Sequence, residues 1–151
     1  MTTLWVTIQE QFEAFVVGLR ELLFVLRANS DEMLADLGCT VVERSVLDEL
    51  GRQGQQTVPD LAFPRAISRQ AMQKTIDRLI ARRLVKVQAN PRHRRSSLLA
   101  LTPAGQRLLA EIHRRERRLV SEGGFPLSGA ELQRTTAALR TLQRHFAGTS
   151  A

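Results

Sequence analysis

The stretch from Arg65 to Gly105 limits the folds open to this chain more than any other. Between Arg65 and Arg95 it holds ten Lys or Arg against one acid, Asp77, a local balance of +9 in a chain whose net charge is +7. Ser68 precedes an apolar stripe at helical spacing (Met72, Ile76, Leu79, Ile80), so a capped helix is expected from about Arg69 to Arg82. Arg69, Gln70, Gln73, Lys74 and Asp77 fall on or near its opposite face. Leu84 to Val87 and Leu98 to Leu101 are strand candidates. Antiparallel pairing across the gap containing Asn90-Pro91 gives a hairpin with an arginine-rich, exposed tip. Thr102-Pro103 then opens another helix. Charge concentrated in this way is the footprint of a polyanionic partner, nucleic acid first.

The rest of the charge is distributed to match. The first sixty residues carry four basic and ten acidic side chains, a balance of −6. One face therefore suits DNA, while the N-terminal part suits something else. Almost all the basic charge is arginine, Lys74 and Lys86 being the lysines, and the planar arginine fork matches phosphate and guanine. A general compositional bias towards arginine is the bland alternative, although bias alone does not cluster charge.

At 151 residues, with 43% apolar and 25% charged side chains, the chain is expected to form one globular domain. No apolar run approaches the roughly 20 residues that span a bilayer. The N-terminus lacks the basic start, apolar core and small-residue cleavage site of a signal peptide. The single cysteine, Cys39, excludes an intramolecular disulfide framework. A cytoplasmic protein with no membrane contact is the expectation.

Residues 5–27 read as a long helix, with Trp5, Ile8, Phe12, Phe15, Leu19, Leu22, Leu23 and Leu26 in one apolar stripe. Val16, Phe24 and Val25 widen it, which fits either ordinary core packing or a second subunit. Asn29 to Asp36 is expected to break or bend the chain. Thr40 and Glu43 form a capping box for a helix over Val41–Arg52 that turns Val42, Val46, Leu47 and Leu50 inward and ends at Gly51 and Gly54. Thr57 caps a short helix from Val58 to about Pro64. The helix opened by Thr102 runs to about Ser121, broken by Gly123, Gly124 and Pro126; Ser128 and Glu131 box the start of a last helix to about Phe146.

Short helix, turn, capped basic helix and two-stranded wing, in that order, make a winged helix-turn-helix. In that layout one helix lies in the major groove with its N-terminal side chains at base edges, while the wing reaches flanking backbone or the minor groove. These parts resemble the MarR (multiple antibiotic resistance regulator) family of bacterial transcription factors over about residues 40–119. The resemblance rests on Thr57-Val-Pro-Asp-Leu-Ala62, on Ile67-Ser68 with Ile76-Asp-Arg-Leu79 and Leu84-Val85, and on Asn90-Pro-Arg-His-Arg-Arg-Ser96 with Leu101-Thr-Pro-Ala-Gly105. Two positions depart from the family pattern. His93 stands where the wing usually has Asp, and Arg83 replaces a glycine in a left-handed turn, at a cost of about 1 kcal/mol.

The resemblance implies a mainly α fold: a DNA-binding part over residues 40–105, a two-stranded β wing, and dimerisation helices over 5–28 and 106–147. It implies that Ser68, Arg69, Gln70, Gln73 and Lys74 contact bases or phosphates, that Arg95 enters the minor groove, and that Arg92 and Arg94 touch backbone. Arg78 is open between a DNA contact and a structural ion pair. The implied function is a homodimeric, sequence-specific regulator of a pseudo-palindromic operator in double-stranded DNA, acting as a repressor. Release by a small aromatic or anionic effector, with Phe12, Phe15, Cys39 and Val42 lining its pocket, is a further implication. Non-specific architectural DNA binding and protein–protein assembly are the competing classes; Gln70 and Gln73, uncharged and able to bond bases in pairs, favour base reading.

Nothing in the sequence marks a catalytic residue, a cofactor or an enzyme. Cys39 reads as a buried structural cysteine rather than a peroxide sensor, and His93, His113 and His145 show no zinc-ligand spacing.

Overall fold

A computed structural model describes residues 2–63, 67–93, 96–121 and 124–148. The element order is α1 (Thr2–Ala35), α2 (Val41–Gln53), α3 (Val58–Ala62), α4 (Arg69–Ala81), β1 (Val85–Gln88), β2 (Leu98–Leu101), α5 (Pro103–Ser121) and α6 (Gly129–Gly148). This is the mainly helical, two-stranded architecture expected. The chain divides into two compact units, residues 1–113 and 114–151.

In the first unit α2, α3 and α4 bury Val46, Leu47, Leu50, Leu61, Met72, Ile76 and Leu79 around one centre, closed by Leu99 of the hairpin and Leu109 and Ile112 of α5. Capping boxes set the starts of two of these helices, Thr40 with Glu43 on α2 and Thr57 with Asp60 on α3. Ser68 Oγ accepts from the Ala71 N–H at the start of α4. Pro64, where α3 was expected to end, lies outside the described residues.

The strands pair antiparallel, Val85 opposite Leu101 and Gln88 opposite Leu98. Gln56 adds a bridge that the sequence did not suggest, exchanging backbone bonds with Leu99 in both directions (3.2 and 2.8 Å). Thr102 joins the hairpin to α5: its hydroxyl donates to the Arg83 carbonyl (2.6 Å) and accepts from the Gly105 N–H (3.1 Å). Gly105 is required because a Cβ there would stand 2.1 Å from the Leu84 carbonyl oxygen.

Three expectations are corrected. The first helix does not stop near Arg27 but runs unbroken to Ala35, a length of about 50 Å. The segment 29–35 has neither proline nor glycine, and Leu34, fully buried, anchors it in the core. Gly51 does not end α2; it lies inside the helix because Leu109 presses against it, its Cδ2 2.6 Å from where a Cβ would be. Gly54, at φ +77°, is the actual cap. Finally, Val42 is half-buried rather than in the core.

In the second unit α6 starts at the expected box, Glu131 accepting from the Ser128 N–H (2.8 Å) and hydroxyl (2.6 Å). Phe125, Leu127, Leu132 and Phe146 are exposed there, and Leu139 and Leu142 are half-buried.

Candidate nucleic-acid interface

α4 divides cleanly between two environments. Met72, Thr75, Ile76 and Leu79 are buried, while Ser68, Arg69, Gln70, Gln73 and Lys74 are all exposed at the N-terminal end of the opposite face. The 3.6-residue period dictates this split: the apolar positions recur at steps of three and four, and the polar ones fall between them. Arg69, Gln70 and Gln73 also line one side of a cleft of about 600 Å³ whose other side is Val87, Ser96 and Leu99 of the hairpin. The structure therefore sets these three side chains beside the wing. Gln73 is held by its neighbour one turn on, its Nε2 donating to Asp77 Oδ1 at 2.8 Å.

Asn90, which the sequence places in the hairpin gap, shapes residues 90–93 of the wing tip through its own hydrogen bonds. The Asn90 side chain accepts from the Arg92 N–H (3.0 Å), and the Asn90 carbonyl accepts from the His93 N–H (3.3 Å). Asparagine turns its own backbone in this way without help from an acid. The tip is thus shaped locally even with His93 in place of Asp. Arg92 and His93 are exposed. Arg94 and Arg95, the expected backbone and minor-groove arginines, lie outside the described residues.

Not all the basic charge counted in the sequence belongs to this face. Glu43, buried on α2, places Oε1 3.3 Å from Arg78 Nε and Oε2 3.9 Å from Arg82 Nη1, while accepting from the Thr40 N–H at 2.8 Å. Arg82 also donates from Nη1 to the Gly38 carbonyl (2.5 Å) and from Nη2 to the Leu37 carbonyl (2.9 Å). Arg78 is therefore ion-paired within the protein, and Arg82 braces the turn that follows α1. Arg83 adopts the left-handed backbone expected of it, at φ +58°.

Of the residues expected around an effector, Cys39 and Val42 lie at the start of α2 and Phe12 and Phe15 on α1. Cys39 N donates to the Leu34 carbonyl, and the unbroken helix carries Phe15 roughly 30 Å away along its axis. The four do not share one pocket within a chain. Burial first, and the nearby Glu43 carboxylate second, push the Cys39 thiol up to about 11 against the opposing effect of Arg82 and Arg44. Among the described residues no group of three His, Cys, Asp or Glu is placed to hold a metal, and no helix is long and apolar enough to cross a membrane.

Three helices, a hairpin at the end of the third and a polar face at its start define a winged helix-turn-helix. The family model described as MarR family matches residues 37–96. The uncharacterised protein Rv2011c of Mycobacterium tuberculosis is 29% identical over 133 residues, 88% of this chain and 92% of that protein. Among solved structures, the MarR family transcription regulator SP03579 superposes with a TM-score of 0.77 at 25% identity, over 94% of each chain. BpsR of Bordetella bronchiseptica, solved to explain how 6-hydroxynicotinic acid regulates its DNA binding, gives 0.58 at 27% identity over 81% of this chain and 98% of its own. The fold is that of the MarR-family winged-helix proteins, whose family model the chain matches over residues 37–96 and which include DNA-binding transcriptional regulators.

Proposed function

We propose that this protein binds double-stranded DNA sequence-specifically as a homodimer and represses the genes beside its operator. The observation that carries this reading is the exposed N-terminal face of α4, where Ser68, Arg69, Gln70, Gln73 and Lys74 stand together and Arg69, Gln70 and Gln73 lie beside the wing. A helix presented this way fits the major groove: the glutamine amides reach base edges while the cations meet phosphates. Arg92 and Arg94 would grip flanking backbone and Arg95 the minor groove. The proposed DNA-binding part is residues 40–105.

A second copy is the natural cover for α1. Leu22, Leu23, Phe24, Val25 and Leu26 are each at least half exposed, a density of apolar surface that isolated chains rarely leave in water. With residues 5–28 and 106–147 as the dimer helices, two α4 helices would meet successive major grooves about 10 bp apart. Regulation of BpsR by a small aromatic acid supports a ligand-released repressor here. A site using Phe12, Phe15, Cys39 and Val42 together would take its phenylalanines from one copy and its α2 residues from the other.

The test is binding to a labelled fragment from upstream of the gene across a salt series. Each neutralised phosphate releases counterions, so affinity should fall steeply as salt rises. A flat response would remove the electrostatic basis of the proposal. Arg95→Ala should weaken binding with the fold intact.

A further inference from the structure

Asp77 is the single acid between Arg65 and Arg95, and it stands exposed on α4, on the face read above as the DNA surface. A carboxylate there repels the phosphates the surrounding arginines attract, so its presence lowers affinity for every sequence alike. Its hydrogen-bond partner is Gln73, whose Nε2 donates to Asp77 Oδ1 at 2.8 Å across one helical turn.

The chemistry of that bond fixes a direction. An ionised carboxylate accepts hydrogen bonds and donates none, whereas an amide carries two donors on one end and an acceptor on the other. An isolated glutamine can present either end to a base. Beside Asp77, only the orientation with nitrogen towards the carboxylate satisfies both groups, and it leaves Oε1 and the second N–H side by side on the outer edge.

We propose that Asp77 is a positioning residue for base recognition, locking the Gln73 amide so that it selects adenine over guanine. The inference rests on α4 being the base-reading helix. Adenine offers the N6 amino donor beside the N7 acceptor, which complements an outer edge of one acceptor and one donor. Guanine offers two acceptors, N7 and O6, so its O6 meets the lone pairs of Oε1. A free glutamine escapes that clash by swinging its amino group in to face O6 and N7 with Oε1 turned away from the base; the bond to Asp77 closes that route. Asp77 thus lowers general affinity and raises discrimination, two effects that a purely structural side chain would not couple.

The experiment uses the full chain and duplexes recovered by selection from random DNA. The position whose preference is lost in Gln73→Ala is identified, and affinity is measured with adenine and with guanine there at one fixed salt. Asp77→Asn is isosteric, but its amide both donates and accepts, so the lock becomes two-way. It should bind the guanine duplex more tightly than the unaltered protein does, with adenine-over-guanine discrimination falling roughly 3- to 10-fold. Asp77→Glu keeps an acceptor-only group and should retain most of the discrimination. Undiminished discrimination in Asp77→Asn overturns this inference and leaves the DNA-binding role standing. Equal weakening of all sequences by Gln73→Ala overturns base reading by Gln73 and this inference with it. Failure to recover any preferred sequence overturns the proposed function as a whole.

Discussion

The Arg82 guanidinium donates to the Leu37 carbonyl at 2.9 Å, which ties the residue capping α4 to the turn that follows α1. The two residues are 45 positions apart, and the buried Glu43 carboxylate sits beside the same guanidinium. The carbonyls it meets belong to the turn that follows α1, whose own end is closed by backbone bonds from Leu37 and Gly38 to Leu34 and Ala35. The C-terminal end of α4 is thereby held against the turn that follows the long N-terminal helix.

Arg82→Met should therefore lower stability by about 2 kcal/mol, since it removes two charge-assisted bonds and one of the cations beside a buried carboxylate. Denaturant unfolding measures this. The slope of log affinity against log salt should stay unchanged, because Arg82 faces the protein. Lys74→Ala should do the reverse, leaving stability alone and reducing that slope by about 1.

Arg83 sits at φ +58°, where a side chain is strained and glycine is not. Arg83→Gly should stabilise the protein by about 1 kcal/mol, raising the thermal midpoint by about 2–6 °C. A lower midpoint would mean that the arginine side chain makes a contact worth more than the strain.

Cys39 is 6% exposed, and its thiol is pushed up to about 11 from 9.0. A raised pKa means that the folded state holds the neutral thiol more firmly than the unfolded chain does. The associated stability is complete below pH 9 and declines as pH climbs from 9 towards 11. At neutral pH, labelling by a thiol reagent should be slow and accelerate with added denaturant. Rapid labelling of the native protein, or loss of DNA binding under mild peroxide, would identify a sensor instead.

Leu23 and Phe24 on α1 are 57% and 76% exposed. The unaltered protein should sediment at twice the 17.0 kDa chain mass, and Leu23→Glu with Phe24→Glu should shift it to the chain mass. Operator affinity should fall with it, since a single recognition helix loses the second half-site. A stable species at the chain mass without substitution would contradict the dimer.

Features set by local chemistry were legible in the sequence. The caps at Thr40, Thr57, Ser68 and Ser128 need only neighbours three residues away, and the split of α4 follows from its spacing. The left-handed turn at Arg83 was legible because it lies at a fixed point between helix and strand. What escaped was set at a distance. Asn29 to Asp36 looks like a break until Leu34 is seen buried beneath α2, and Gly51 looks like a helix end until Leu109 is found against it. Arg82 counted as DNA charge because its partners, Leu37 and Gly38, are remote in sequence. Asp77 was visible, but its grip on Gln73 appears only with side chains in place.

Selection of bound fragments from random double-stranded DNA tests the central claim most directly. The account predicts enrichment of one pseudo-palindrome with half-sites about 10 bp apart, and a changed preference at one position per half-site with Gln73→Ala. Recovery of fragments sharing no sequence, or of a single unpaired half-site, would contradict it.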